Sequence, residues 1–379
     1  MAAGDLDATF AGNGKKRIGF GGDDEARAVL VQPNGRIVVA GLGTAARRFC
    51  VARLRSNGNL DTAFGTRGKR TISFGGDDEG AFGAALQPDG KIVLVGDSDF
   101  RVAVARLNPN GSLDATFSGD GKVLFSWGAI SRATAVLVLP SGKLLVGGFS
   151  GPEGGNVQLA RLNPTGALDT SFGIGGKAAV DFGGDDFGTA LARQANGRIL
   201  VAGRSTTAGA IVARLLANGK LDGTFGTGGK LSLGPGILDA VLVQPDRKIL
   251  VAGNANGPAT MTVTRLRTNG TPDPTFDGDG TATIDFGTLA DDANAAVLQP
   301  DGKIVVAGYT QATDSPPAVA RLNADGSPDA TFGGGDGKVT VDFGAATFGF
   351  AAALQANGRI LVAGQYTGAN DFAIARIRG

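Results

Sequence analysis

The sequence predicts an all-β fold, a closed ring of seven four-stranded antiparallel sheets, and three observations predict it. First, "QPDGKIVVAG" at 299–308 is rewritten as "QPNGRIVVAG" (32–41), "QPDGKIVLVG" (87–96), "LPSGKLLVGG" (139–148), "QANGRILVAG" (194–203), "QPDRKILVAG" (244–253) and "QANGRILVAG" (355–364). Second, the Asp of an "LDxTF"-like motif falls at Asp7, Asp61, Asp114, Asp169, Asp222, Asp273 and Asp329, 51 to 56 residues apart with no linker between units. Third, the chain opens on the end of a unit, "LDATFAGNGKKRIGF", and closes on the first three strands of one, "FAAALQANGRILVAG" and "FAIARIRG". The two fragments together complete a seventh unit.

Each unit justifies four strands in order. A run such as "ARAVLVQ" (26–32) precedes a "PNG" or "PDG" turn, and "RIVVAG" (36–41) follows it. A variable stretch leads to "FCVARL" (49–54), then an "NG" turn and "LDTAFGTRGKRTISFGGDDE" (60–79). Short β-branched runs bounded by Gly, Pro and Asn read as strands in tight hairpins. No helical period of useful length interrupts them. One four-stranded sheet cannot cover both its faces, but seven arranged about an axis bury one another, which is a seven-bladed β-propeller. A linear β-solenoid is the alternative; it calls for shorter rungs and atypical capping units. Residues 1–379 are read as one domain, and a closed ring is expected to be a monomer.

Composition narrows the function classes. Lys plus Arg total 36 and Asp plus Glu 35, a net charge of +1 that gives no footing for nucleic acid. Apolar runs are too short for a membrane-spanning helix, and "MAAGDLDATF" does not read as a signal peptide. The single Cys50 rules out an internal disulfide. There is no histidine, which removes His-based triads, His metal sites and the usual general base near neutral pH. The 64 glycines sit at turns recurring with the unit, not at every third position.

The motifs "QPDGKIVVAG", "VARLNADGSPDATFG" and "GKVTVDFG" resemble those of the bacterial delta-60 repeat family across essentially the whole chain. The unit is also similar to the NHL-type propeller repeat with its "PDG" turn. The resemblance implies a propeller module of bacterial proteins, often secreted or at the cell surface, and it carries no chemistry across. The sequence departs from the pattern at Arg247, which replaces the turn glycine. It departs again at "SWGAISRA", "GPGILDA" and "GAATFGF", which lack the acidic "GGDDE" element.

Every unit carries one Arg at the same place: Arg53, Arg106, Arg161, Arg214, Arg265, Arg321 and Arg376. Six have the motif Asp eight positions later, and Arg376 meets Asp7 if the ring closes. An Arg fork facing a carboxylate forms a strong, bidentate-capable pair. Seven anion sites are one reading; a repeated structural staple is the other, and a staple explains why all seven copies exist. Phe10, Phe64, Phe117, Phe172, Phe225, Phe276 and Phe332 read as plugs between blades.

Three further features are candidates for function. The acidic turns place Asp23 with Asp24, Asp77 with Asp78, Asp185 with Asp186, and Asp291 with Asp292, hard oxygen ligands of the kind Ca²⁺ takes. Solvated Gly/Asp turns are the plainer reading, since adjacent Asp-Asp is no known calcium-loop spacing. "DGDG" at 277–280 is treated alike. Five positions before the repeated Gln (Leu139 in the third unit) stand Arg27, Phe82, Thr134, Thr189, Asp239, Asn294 and Phe350, each followed by Ala or Gly. Arg27, Phe82, Asp239, Asn294 and Phe350 are therefore candidate ligand-binding residues at the mouth of the ring. The variable loops, longest at 41–49, 148–156 and 308–317, are expected on the same face, where binding loops on a rigid scaffold belong.

The expected function is a non-catalytic binding or scaffold module that contacts a protein or glycan partner through the variable face. The alternatives are a Ca²⁺-dependent hydrolase or lactonase with carboxylates at the channel mouth, a multivalent lectin, and an engineered or purely structural object. A lectin with one sugar site per blade wants repeated aromatic platforms, and Trp127, Tyr309 and Tyr366 do not repeat.

Overall fold

A computed structural model describes residues 2–43, 47–151, 155–255, 260–312 and 314–379. Its strands form seven separate four-stranded antiparallel sheets. Blades 1 to 6 span 25–72, 79–125, 131–180, 186–232, 236–284 and 291–340. The seventh joins the strands of 347–377 to Lys15–Ile18. That last pairing is antiparallel, Lys15 opposite Ala375 and Ile18 opposite Phe372, so the ring is closed by the N-terminal strand. Among the described residues no helix is long and apolar enough to cross a membrane.

The strand patterns follow from position in the ring. The second and third strands of a blade are covered on both faces by neighbouring blades. Ile37–Gly43 is accordingly buried at every residue, and Arg48–Leu54 at every residue but its first. Such strands read as continuous apolar runs, whereas a half-exposed strand alternates. The core lies between blades. Phe64, for example, packs with Val38, Val51, Leu94 and Ala105, taken from blades 1 and 2. All seven motif phenylalanines are fully buried.

The inner strands carry one irregularity in every blade. Their pairing with the second strand skips one residue: between Ala26 and Ala28, Ala81 and Gly83, Ala133 and Ala135, Gly188 and Ala190, Leu238 and Ala240, Ala293 and Ala295, and Gly349 and Ala351. The skipped residues are Arg27, Phe82, Thr134, Thr189, Asp239, Asn294 and Phe350. Each sits on a β-bulge, which lifts a residue off the ladder and re-aims its side chain. The last glycine of the repeated "VAG" makes room for the bulge. A Cβ on Gly308 would lie 1.7 Å from the Asp292 carbonyl oxygen, and one on Gly203 1.9 Å from that of Phe187. The repeated glycine is therefore a steric requirement of the bulge.

Candidate functional site

The two ends of the ring are built differently. On the end bearing the "PDG" turns, each motif Arg meets its Asp with Nε to Oδ2 distances of 2.6 to 2.9 Å, Arg376 and Asp7 included. The pair is not a two-pronged fork. Only Nε serves the carboxylate, because the other guanidinium nitrogens have other tasks. In six copies Nη1 donates to a carbonyl of the next blade: Pro109, Pro164, Ala217, Thr268, Ala324 and, across the closure, Ser56. Nη2 donates to the hydroxyl two residues past the Asp, as in Arg106 to Thr116 at 3.0 Å. Blade 1 has Ala63 there and lacks this bond. Each guanidinium also lies 4.6 to 4.8 Å from the centre of the motif Phe ring. The staple thus spans two blades.

A second cation completes it, and the sequence reading missed it. The Lys or Arg directly after each hairpin turn reaches the same Asp: Arg36, Lys91, Lys143, Arg198, Lys248, Lys303 and Arg359, at 2.5 to 3.3 Å. The signal was present, since the turn is followed by a cation in every unit. Burial alone raises the pKa of these carboxyls, but their donors outweigh it. Against that burial, the Thr116 hydroxyl and amide and Arg106 hold Asp114 at about 2. The Lys143 hydrogen bond is the largest influence on Asp169 and lowers it strongly. Seven carboxylates with two cations each leave no vacant anion site. The partners of these carboxylates all belong to the fold itself.

The opposite end carries the acidic turns. Asp24, Asp186 and Asp291 are buried, and each accepts the backbone N–H of the aromatic residue that opens the turn: Phe20, Phe182 (2.6 Å) and Phe286 (2.7 Å). Glu79 does the same for Phe74, and Ser131 for Trp127 where the acid is missing. The other carboxylates point elsewhere. Asp23 accepts from Asn370, Asp78 pairs with Arg47 at 2.6 Å, the Asp185 carboxylate accepts the Gly155 amide, Asp77 is exposed, and Asp292 accepts from Asn254. In three of the four pairs one acid caps the turn and its neighbour bonds elsewhere; in the fourth, Asp77 with Asp78, the cap is Glu79. Among the described residues no three His, Cys, Asp or Glu side chains converge as a cation site. The buried thiol of Cys50 is pushed up to about 12 by desolvation and the nearby Asp24, which leaves it unreactive.

At the centre of this end the seven bulge residues line one cavity of about 470 Å³. All seven are half-buried. Their chemistry is unequal. The Arg27 guanidinium is bonded to Glu25 (Nε, 2.9 Å) and lies 3.9 Å over the Phe350 ring. Phe82 lies under Arg132 at 4.6 Å, and Arg132 pairs with Asp97 at 3.2 Å. Thr134 donates to the Gly188 carbonyl (2.7 Å), Thr189 to that of Leu238, and Asn294 to that of Gly349 (2.8 Å). These three bonds tie neighbouring inner strands together. Asp239 stands alone among the seven. Burial, with help from the Asp292 charge, pushes its carboxyl up to about 7 against the opposing pull of Arg204. Asp292 in turn is bonded by Asn254 and Gln311.

Each second strand runs antiparallel to its bulged inner strand, so it ends at this end of the ring, where the variable loop begins. Parts of these loops, residues 44–46, 152–154, 256–259 and 313, lie outside the described residues, so the expected projection of 41–49, 148–156 and 308–317 is described only at their flanks. Much of those flanks is strand: the second strands run to Gly43, Ser150 and Thr310.

Several solved structures share the architecture. A catalytically inactive histidine-to-alanine variant of virginiamycin B lyase from Staphylococcus aureus, with quinupristin, aligns at TM-score 0.61 and 8% identity over 95% of this chain and 98% of that one. A streptogramin B lyase aligns at 0.56 and 10% identity, covering 95% and 96%. YCF48 bound to D1 peptide aligns at 0.54 and 11% identity, covering 100% and 98%. At such identities the likeness is one of fold. No curated protein matches the chain. Seven segments, 32–64, 87–117, 139–172, 194–225, 244–276, 299–332 and 355–378, match the family described as a domain of unknown function (DUF5122) beta-propeller, and the chain belongs to that family.

Proposed function

We propose that the protein is a non-catalytic binding module that receives a peptide segment of a partner protein at the channel mouth and the loops around it. One observation carries this reading: seven bulges, built alike, present five kinds of side chain to one cavity, while the other end repeats one satisfied staple. Recognition needs differences of charge and shape, and the mouth is where the ring supplies them. A peptide-bound propeller of the same architecture, YCF48 with D1 peptide, supports a peptide over a glycan, as does the absence of repeated aromatic platforms. The lyases of similar fold favour the reading less. One is inactive after losing a single histidine, and these 379 residues contain none. The resemblance to delta-60 repeats supports a secreted or cell-surface bacterial setting for a monomeric ring.

The test is display of random peptides against the folded protein, followed by two sets of variants with unchanged melting temperature. The mouth set is Arg27→Ala, Phe82→Ala and Phe350→Ala; the turn set is Asp89→Lys and Asp301→Lys, in exposed hairpins of the other end. Selected peptides should lose binding to the mouth set and keep it to the turn set. The reverse pattern would sink the proposal.

A further inference from the structure

Six of the seven mouth residues are already engaged within the molecule. Thr134, Thr189 and Asn294 donate into the next inner strand. Arg27 is held by Glu25 and Phe350, and Phe82 and Phe350 each lie under a guanidinium. Asp239 has no hydrogen bond to any described residue, although it stands on the same bulge. Where two hydroxyls and an amide offer donors, this blade offers an acceptor. An ionised carboxylate cannot make the inter-strand tie that its equivalents make. A half-buried carboxylate facing a cavity, with no described protein group donating to it, is left for water or for a donor that enters the cavity.

The charges around it define that donor. Asp239 belongs to blade 5 and Arg27 to blade 1, so they sit as far apart around the mouth as seven blades allow. Arg27 and Arg132 are neutralised by Glu25 and Asp97. Asp292, on the adjoining blade, adds a second negative charge that disfavours ionisation of Asp239. Arg204, lying over Phe187, is the opposing cation. A neutral donor would satisfy a lone pair of Asp239 but leave the two carboxylates repelling each other. A cation would offset both. The cavity lining on the blade of Asp239 and its neighbours is apolar, the alanines Ala190, Ala240 and Ala295 with Leu191 and Val241 among it, which suits an alkyl stem.

We propose that the mouth contains a cation subsite, in which Asp239 accepts an ammonium or guanidinium group carried on the side chain of a lysine or arginine of the bound peptide, with Asp292 as the supporting charge. This rests on the mouth being the binding site and adds the chemical class of what enters it. The group enters from the variable-loop end with its stem along this apolar lining. Its charge turns Asp239 from an isolated acid into half of an ion pair.

The probes are Nα-acetyl-lysine amide, its uncharged analogue Nα-acetyl-norleucine amide and its opposite, Nα-acetyl-glutamate amide, followed by NMR of the Asp239 carboxyl carbon and of mouth amides. At about pH 8 the lysine probe should bind about tenfold more tightly than the norleucine probe, and the glutamate probe should not bind. Saturation with the lysine probe should lower the Asp239 titration midpoint by about one unit. Asp239→Asn should remove that preference, and Asp239→Thr, which copies Thr134 and Thr189, should remove it in a variant whose fold the neighbouring blades already demonstrate. If norleucine binds as well as lysine at the mouth, the mouth remains the site and the cation subsite is wrong. If lysine binding survives both variants, the cation subsite is wrong as well. If no probe perturbs the mouth and displayed peptides map to the turn end, both proposals fall together.

Discussion

The staple end and the mouth end are drawn from the same seven repeats, yet one is uniform and the other is not. At the staple end a single side chain, Arg161 for instance, serves its own Asp169, the Ser171 hydroxyl, the Phe172 ring and the Ala217 carbonyl of the next blade. Every bond it makes is to the fold, so any other residue leaves several partners unserved. At the mouth end the bulge takes one residue out of the ladder, and the strand pairing no longer depends on its identity. Arg, Phe, Thr, Asp and Asn all occur there. The ring is held by positions that cannot differ, and its individuality lies at positions the fold has released.

The largest effect should come from the feature that creates the released positions. Gly308→Ala places a Cβ against the Asp292 carbonyl, a backbone atom that cannot swing away. The inner strand of blade 6 must shift or lose its bulge, at a cost of about 3 kcal/mol or more. The melting temperature should fall sharply, and the backbone amide shifts around Asn294 should move most. A variant that melts with the parent and leaves Asn294 in place would show that the glycine is not what permits the bulge.

The staple should respond more mildly than a lone buried pair. Breaking such a pair costs about 3–5 kcal/mol because a bare charge is left behind. Here Lys143, at 2.8 Å, still faces Asp169 when Arg161 is removed. Arg161→Ala should therefore cost about 2 kcal/mol, Lys143→Ala about 1, and the double variant clearly more than their sum. Additive losses in urea unfolding would mean that the two cations do not share one carboxylate. Acid provides an independent measure. The staple carboxyls titrate lower in the folded protein than the ordinary 3.8, Asp114 at about 2. Their contribution is complete above the unfolded value and disappears as pH falls through the folded one. Stability should decline steeply between about pH 4 and pH 2.

This division was only partly legible in the sequence. Seven copies of a decapeptide and a constant Arg-to-Asp spacing were enough for the ring, its closure and the staple, because chemistry repeated at a fixed period survives without coordinates. The mouth position could also be located, as a free-ranging residue beside a fixed small one. The bulge beneath it could not. It depends on how two strands register, and "VAG" reads as an ordinary strand end until Gly308 is set against Asp292. The capping role of the acidic turns was hidden for a related reason. Asp24 and Ser131 do the same work, accepting a turn amide, but one resembles a metal ligand in sequence and the other resembles nothing. The second cation of the staple was overlooked because Lys after Gly in a hairpin is ordinary, and only its distance to Asp169 gives it meaning.

The smallest effects separate residues inside the mouth, and here the sign matters more than the size. Thr134→Val keeps the shape but deletes the bond to the Gly188 carbonyl, and should destabilise by about 1 kcal/mol at any pH. Asp239→Asn should do the opposite near neutrality. The folded protein holds the Asp239 proton up to about 7, whereas the unfolded chain releases it near 3.8. Between those values the folded state binds more protons, so the wild-type protein loses stability as pH rises through that window. Asparagine has no charge to desolvate and gains an N–H donor like that of Asn294. The variant should be more stable than the parent by about 1–2 kcal/mol at pH 8, after allowance for the solvent that reaches the site, and equal to it near pH 4. Melting curves at the two pH values measure both differences. An Asn variant less stable than the parent at pH 8 would mean that ionised Asp239 already has a favourable partner in the empty ring, and the contrast with Thr134 would then vanish.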